Sequence, residues 1–354
     1  MRLRWGSGLV IASLVVGACQ GGGAPTTKPA TQAPTQAPAT TAATQAPATP
    51  AATQAGSEPI GSLKLGRGGM SIAFVPTMMV IDGMQADGWD IEVVEFASTS
   101  TEIQAAVEGA VDATSASAAA TMTAIDAGLD FKFFLSRYIN EFNLVAKADL
   151  PTCESLDGKR VAIHAQTDIT GLLTKSYFAK NCPDANPEIQ IVEGSENRLA
   201  GLLADQLDAS PLDMQNTIQL QSERPDEFVV VANFVEDFPL LAGVYSASPE
   251  WLEANPELAK EFIRRHLEVW AQIYNDPQVL IDESTERLPE VEPSLIEQIV
   301  EQYLSLEIFQ KEGDLQQDRV EETIDFFSEA AGFTNVGSYE DIVDRSYLDE
   351  VLAE

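Results

Sequence analysis

Short polar side chains follow several predicted strands of the chain, where they could hydrogen-bond a small ligand. Such residues serve equally as helix N-caps, a role that needs no ligand. His164 ends a predicted buried strand, so the alternative to ligand contact is a structural role for this side chain. A first group of candidates consists of Met70, Ser71, Ser98, Thr99, Ser100, Ser115 and Ser117, and a second of His164, Gln166, Thr167, Asp168, Thr170, Ser195 and Asp213.

Aromatic and basic side chains add a second set of candidates. Phe74, Tyr138 and Tyr245 could form the walls of a cleft and stack on a planar ligand, although such rings more often fill a core. Arg137 and Arg198 are the two arginines available to meet an anion.

Patterns that support catalysis are missing from the sequence. It contains no G-x-S-x-G, no H-E-x-x-H and no phosphate-binding glycine loop. His164 and His266 are its only histidines, too few for a histidine-based metal site. We therefore expect no catalytic residues, no metal and no cofactor, and interpret the polar loops as a binding site of a protein that is not an enzyme.

Strands and helices alternate along the segment that carries these loops, with short connections. This pattern predicts α/β structure with doubly wound, mostly parallel sheets. Residues 106–116 (AVEGAVDATSA) align without gaps to 202–212 (LLADQLDASPL), which pairs Asp112 with Asp208. Residues 63–69 align with residues 160–166, at an offset one residue larger than that of Asp112 and Asp208. The alternation and the match predict two similar lobes with ligand loops at the carboxyl ends of their strands. The alternative is a chance likeness of Ala- and Leu-rich helices.

Two apolar runs, residues 142–146 and 240–246, fit two crossover strands between the lobes. We predict lobe 1 from residues 60–147 plus 240–354, including C-terminal helices, and lobe 2 from residues 148–239. Two crossings form a hinge, so closure about a ligand is expected.

The N-terminus is typical of an exported lipoprotein. Residues 1–18 predict a signal peptide, and the run from Leu14 to Cys19 resembles a bacterial lipobox, which implies lipidation of Cys19. An ordinary signal peptide is the alternative. Residues 19–59 are rich in Pro, Thr, Ala and Gln and predict a disordered tether. The net charge of -34 argues against nucleic-acid binding.

Cys153 and Cys182 remain once Cys19 is lipidated. Export implies an oxidising environment. One cysteine precedes a predicted strand and the other follows the next helix, which brings both to one end of the sheet. We predict a disulfide between them.

Several runs resemble the substrate-binding proteins of the nitrate, alkanesulfonate, taurine and thiamine-precursor ABC importers. They are EVVEFASTSTEIQAAVEGAVDATSAS, SLDGKRVAIHAQTDITG, LADQLDASPLDM and the C-terminal DFFSEAAGFTN…SYEDIVDRSYLDEVL. The resemblance covers residues 60–354. It implies a type II periplasmic-binding-protein fold and a small solute held between the lobes. It also implies delivery to an ABC permease and its ATPase outside the cytoplasm. We expect a monomer attached to the membrane through its lipid.

The sequence departs from the family where a Gly-Ser pair often follows the strand of lobe 2. Here the residues are Ala165 to Asp168. Asp213 occupies the equivalent loop further on, and Glu141 lies near a crossover. These acids favour a neutral or cationic heterocycle or amine over a sulfonate or nitrate. A ligand sensor or adhesin with the same fold is the alternative function, and an enzyme related to pyrimidine synthesis is a further one.

Overall fold

A computed structural model describes residues 59–354, so the predicted signal peptide, Cys19 and most of the tether lie outside the described residues. Within this range the chain forms ten strands in two five-stranded sheets. The strands are β1 (Ser62–Arg67), β2 (Asp90–Glu95), β3 (Ala113–Thr114), β4 (Lys132–Ile139), β5 (Asn143–Lys147), β6 (Arg160–Ile163), β7 (Glu188–Ile191), β8 (Ala209–Leu212), β9 (Phe228–Asn233) and β10 (Leu241–Ala247).

Fourteen helices accompany these strands in residues 59–354, and none of them is long and apolar enough to span a bilayer. Those between the strands are α1 (Val75–Ala86), α2 (Thr99–Val107), α3 (Ala118–Asp126), α4 (Ile169–Asn181), α5 (Ser195–Leu203), α6 (Met214–Glu223) and α7 (Phe234–Asp237). The C-terminal ones are α8 (Pro249–Ala254), α9 (Pro256–Asn275), α10 (Pro277–Arg287), α11 (Pro293–Ser305), α12 (Gln317–Ala331), α13 (Tyr339–Ile342) and α14 (Ser346–Leu352).

The two sheets share one topology. The strand order is β2-β1-β3-β10-β4 in the first sheet and β7-β6-β8-β5-β9 in the second. In each, the first three strands are parallel and the fourth is antiparallel to both neighbours. The prediction of two similar α/β lobes is therefore confirmed, and the architecture is the type II periplasmic-binding-protein fold.

The aligned aspartates have the same role in the two lobes. Asp112 accepts a hydrogen bond from the backbone N–H of Lys64 at 2.7 Å, and Asp208 accepts one from Arg160 at 3.0 Å. Each carboxylate thus ties the start of the third parallel strand to the first. Lys64 therefore corresponds to Arg160. The predicted alignment of residues 63–69 with residues 160–166 was thus wrong by one residue. The whole repeat has the single offset shown by Asp112 and Asp208.

The first connection between the lobes lies earlier than predicted. β5 pairs with β8 and β9, so residues 143–147 belong to the second sheet and not to the first. The side-chain amide of Asn140 donates to the carbonyls of Phe234 and Phe238, at 2.7 and 3.0 Å. Asn140 therefore joins the outgoing and the returning connection, and we assign it to the hinge.

A disulfide bond in lobe 2 and the packing of the C-terminal helices are two further features that stabilise the fold. Cys153 and Cys182, the cysteines predicted to pair, form a disulfide with Cα atoms 6.0 Å apart that links the entrance of β6 to the end of α4. The C-terminal helices pack on lobe 1, but α11 also contacts α6 of lobe 2, and α12 contacts α4.

Candidate functional site

A cavity of about 900 Å³ lies between the two lobes. Its walls are the loops after β1, β2 and β3 on one side and after β6, β7 and β8 on the other, and its floor is the segment from Arg137 to Phe142. Open α/β sheets present their ligand loops at this end of the strands. The cavity is therefore the candidate binding site.

The structure brings most of the predicted residues to this cavity. It is lined by Met70, Ser71, Phe74, Ser98, Thr99, Ser115, Ser117, Arg137, Tyr138, His164, Asp168, Thr170, Ser195 and Asp213. Ser100, Gln166 and Thr167 do not line it and are exposed. For all of these residues, those that line the cavity and those that do not, a role in ligand binding stays a prediction.

Tyr245 lies in the core of lobe 1 and not in the cleft. It is fully buried, and its hydroxyl is hydrogen-bonded to Thr77 and to His266 Nε2, at 2.5 and 2.8 Å. Tyr245 is not among the residues that line the cavity, and its ring packs against Phe134 and Phe262. The prediction of a ligand-stacking role for Tyr245 does not fit this location.

Several hydroxyl residues at the cavity are already used as caps. Ser98 forms a capping box with Thr101 at the start of α2. Ser117 accepts from the N–H of Ala120 at 3.2 Å and begins α3. Ser115 donates to the carbonyl of Gly66 at 3.0 Å. Their hydroxyl groups fix the loop shapes, which places the neighbouring backbone at the cavity.

His164 is held in one orientation by its neighbours. Its backbone N–H donates to Thr170 Oγ1 at 2.9 Å, and the N–H of Gly194 donates to its Nδ1 at 3.1 Å. Because Nδ1 accepts a hydrogen bond, the neutral ring carries its proton on Nε2. Its Nε2–H is then the group that His164 can offer as a donor at the cavity.

Arg137 and Tyr138 enter the cavity from the end of β4. The Arg137 guanidinium carbon lies 5.3 Å from the centre of the Phe74 ring and 4.5 Å from that of Tyr138, which are cation–π distances. A Cβ atom at Gly243 would lie 2.3 Å from Tyr138 and 3.0 Å from Arg137 Nε. Glycine at this position of β10 therefore makes room for both side chains, which the sequence alone did not reveal.

The second candidate arginine, Arg198, is used differently. It is buried, and it donates from Nε to the carbonyl of Pro211 and from Nη1 to that of Val192, both at 3.2 Å. Burial lowers its pKa from the usual value. Its guanidinium thus holds together the loops after β7 and β8 and is only partly available to a ligand.

Acidic side chains surround the floor of the cavity. Glu141 is buried, and its burial, together with the charge of Asp213, raises its pKa to about 8. The Tyr303 hydroxyl of α11 donates to Oε2 of its carboxyl group. Burial also raises the pKa of Tyr138 to about 12. Glu141 is therefore largely protonated at neutral pH, which lowers the negative charge expected from the sequence.

Asp168 and Asp213 are the N-caps of two helices of lobe 2. Asp168 Oδ1 accepts from the N–H of Gly171 at 3.1 Å and begins α4. Asp213 Oδ1 accepts from the N–H of Asn216 at 2.7 Å and begins α6. A carboxylate at a helix N-terminus is stabilised by the backbone dipoles, so both acids have a structural role in addition to facing the cavity.

One hydrogen bond joins the lobes directly across the cavity. Gln215 of lobe 2 accepts from the backbone N–H of Ile72 of lobe 1 at 3.1 Å, and both groups are buried. Gln215 was not among the predicted site residues, because no local pattern distinguishes it from the surface glutamines of α6.

No group of three or more His, Cys, Asp or Glu side chains in residues 59–354 is arranged to hold a metal ion. The cavity offers instead hydrogen-bond donors and acceptors, aromatic faces and separated charges. Such an arrangement can bind a small polar solute and exclude water from it.

Comparison with known proteins agrees with this architecture. The ligand-binding component of an ABC-type import system from Staphylococcus aureus, solved with zinc bound, is 14% identical, with a TM-score of 0.67 over 82% of this chain and 99% of that one. The alkanesulfonate-binding protein SsuA from Xanthomonas axonopodis pv. citri, bound to MOPS, is 16% identical, with a TM-score of 0.63 over 82% and 99%. The aliphatic sulphonate-binding protein SsuA from Escherichia coli is 13% identical, with a TM-score of 0.62 and the same coverage. At these identities the likeness establishes the fold alone.

No curated protein sequence shows a significant match. The model of the NMT1/THI5 like family matches residues 85–279, which is more than half of the 354 residues. The match begins at the end of α1 and reaches the start of α10, so it includes the cavity loops after β2, β3, β6, β7 and β8 but not the one after β1. The chain therefore belongs to the NMT1/THI5-like family.

Proposed function

We propose that this protein is the extracytoplasmic solute-binding lipoprotein of an ABC importer, and that it closes its two lobes on one small organic solute. The observation that carries the proposal is the cavity itself, since its walls come from equivalent loops of two lobes connected through a hinge. The solutes to consider are thiamine-precursor-like heterocycles, amines, sulfonates and nitrate. A permease and its ATPase would receive the solute.

Solute capture follows from a shift between open and closed states. Closing brings the polar loops of both lobes onto the solute and displaces water. A ligand that binds the closed state better shifts the population toward it. The buried contact between Gln215 and Ile72 exists only when the lobes are together, so solute and protein contacts favour the same state.

Binding and closure are tested together on the full-length protein in detergent. A thermal-shift screen covers the four solute classes, and small-angle scattering follows each hit. A ligand at 100 times its dissociation constant stabilises the folded state by about 2.7 kcal/mol, which is readily detected. We expect a hit that also reduces the radius of gyration. Hits that leave the scattering curve unchanged would contradict closure as the mechanism.

Transport and anchoring have their own tests. If the protein supplies an importer, deleting its gene abolishes uptake of the solute that binds, whereas a sensor or adhesin leaves uptake intact. Replacing Cys19 by Ala should release the protein from the membrane fraction. A Cys19→Ala protein that stays in the membrane fraction would refute lipid anchoring but not solute binding.

A further inference from the structure

Arg137 carries a positive charge that forms no direct ion pair in the described part of the chain, although it acts from a greater distance on the pKa values of Glu102 and Glu141 and lowers both. No carboxylate of residues 59–354 lies within ion-pair distance of it, and its Nε atom is buried without an acceptor. The neighbouring Arg67 differs, because it is paired with Glu95 at 2.5 Å and with the carbonyl of Gly68 at 2.7 Å. Lobe 1 thus presents at the cavity one guanidinium that has no direct ion-pair partner.

Lobe 2 presents the opposite charge. Asp168 and Asp213 line the same cavity, and within residues 59–354 neither forms an ion pair. Their capping bonds to backbone N–H groups use Oδ1, and Asp213 Oδ2 accepts only from the Asn216 amide, at 3.0 Å. A carboxylate can accept about four hydrogen bonds, so both acids retain capacity for a ligand.

We propose that the solute is a zwitterion, with its anionic group against Arg137 of lobe 1 and its cationic group against Asp168 and Asp213 of lobe 2. This inference rests on the solute-binding function proposed above and narrows its substrate class. It changes the expectation of a neutral or cationic solute, which gave the acidic residues more weight than Arg137.

The physical argument concerns the closed cavity. A solute with one charge would pair with one lobe and leave the charged groups of the other lobe, which form no direct ion pair of their own, sequestered from water, which is costly. A zwitterion supplies both counterions. The planar guanidinium, held by Phe74 and Tyr138, suits a carboxylate or sulfonate, which it can bind through two parallel hydrogen bonds. An ammonium or protonated ring nitrogen would donate to the two aspartates.

The charges also lie within range of one another across the cavity. Tyr138 lines the cavity together with Arg137, Glu141, Asp213 and Asp168, and the charges of all four act on its pKa. Because the charges sit on different lobes, each end of a zwitterion would draw one lobe toward the other, so the solute's two charges would drive closure.

Isothermal titration of the full-length protein in detergent tests the charge pattern with matched compounds. One set is taurine, isethionate and ethanolamine, and another is phenylalanine, 3-phenylpropionate and 2-phenylethylamine. Thiamine pyrimidines and nitrate complete the panel. We expect at least one zwitterion to bind tenfold or more tightly than both of its single-charge analogues.

The other outcomes separate this inference from the proposed function. If panel compounds bind but the single-charge or neutral ones bind as well as the zwitterions, the inference is overturned and solute binding stands. If nothing in the panel binds, both the inference and the proposed function lose their support.

Substitutions assign the two ends of the solute. Arg137→Gln should abolish most of the preference for the zwitterion over its cationic analogue, about tenfold. Asp213→Asn should do the same for the preference over the anionic analogue, and Asn keeps the helix cap. Arg67→Gln is the matched control, since Arg67 is already paired. Equal losses for all three analogues, in variants that keep the wild-type melting temperature, would refute the assigned roles.

Discussion

Gln215 should set how readily the lobes close in the absence of solute. Its side-chain carbonyl is the acceptor for the N–H of Ile72 in the opposite lobe, and the bond is buried. Replacing Gln215 by Ala leaves that N–H without a partner when the lobes are closed, whereas water satisfies it when they are open. The variant therefore penalises the closed state selectively.

The size of the effect follows from hydrogen-bond energetics. A buried hydrogen bond contributes about 1 kcal/mol net, and an unsatisfied buried donor costs about 1–3 kcal/mol. We take about 1.4 kcal/mol, which corresponds to an approximately tenfold lower ratio of closed to open protein. Affinity for any solute that binds the closed state falls by up to the same factor, because less protein is competent to hold it.

Pulsed electron–electron double resonance measures the distance between two spin labels and so reports the populations of the open and closed protein. Spin labels at Ser100 on α2 and Thr167 in the loop before α4 report across the cleft, because both residues are exposed and belong to opposite lobes. Gln221→Ala is the control, since Gln221 lies on the same helix, is exposed and does not line the cavity. An unchanged distance distribution in Gln215→Ala, or the same change in both variants, would refute the reasoning.

Three further predictions concern stability. Replacing Cys153 and Cys182 by Ser should lower the free energy of unfolding by about 3 kcal/mol on loop-entropy grounds, measured by urea unfolding; no loss would show that the bond does not restrict the unfolded chain. Asp208→Asn should cost about 2–3 kcal/mol and Asp112→Asn about 1, because Asp208 also holds Arg and Lys side chains in ion pairs; equal melting temperatures would contradict this. Burial lowers the pKa of His266 to about 3 from 6.5, so the histidine of the unfolded chain gains a proton first as the pH falls. The free energy of unfolding of the wild type should therefore fall by about 2 kcal/mol relative to that of His266→Gln between pH 7 and pH 5. Parallel pH profiles of the two proteins would contradict this prediction.

Most of the architecture could be predicted from local patterns in the sequence. Alternating strands and helices with short polar loops predict the sheet type, and hydroxyl residues at helix starts predict where the loops lie. The match of Asp112 to Asp208 predicted a repeated lobe correctly, because both carboxylates cap the same backbone position. Residues 63–69 were misaligned by one residue, since a short apolar strand carries little information on its register.

What the sequence could not reveal depends on pairs of residues far apart in the chain. Glu141 looked like one of several acids, but burial at the floor of the cavity and the charge of Asp213 raise its pKa to about 8, although the hydrogen bond from Tyr303 of α11 acts in the opposite direction. Tyr245 looked like a cleft aromatic because it lies on a crossover, yet the pairing of β10 inside the first sheet buries it. Such outcomes follow from tertiary packing and have no local signal.

The two arginines show why this distinction matters for function. From sequence, Arg137 and Arg198 were equivalent candidates for an anion. In the fold, Arg198 is committed to two backbone carbonyls, whereas Arg137 lies on two aromatic rings with no acceptor for its Nε. A count of charges in the cleft therefore misleads, because the acids are partly neutralised or used as caps and one arginine is occupied. What remains is one cation on lobe 1 without a direct ion pair, facing several carboxylates that include Asp168 and Asp213 of lobe 2, and a solute that closes the lobes has to pair with both kinds of charge.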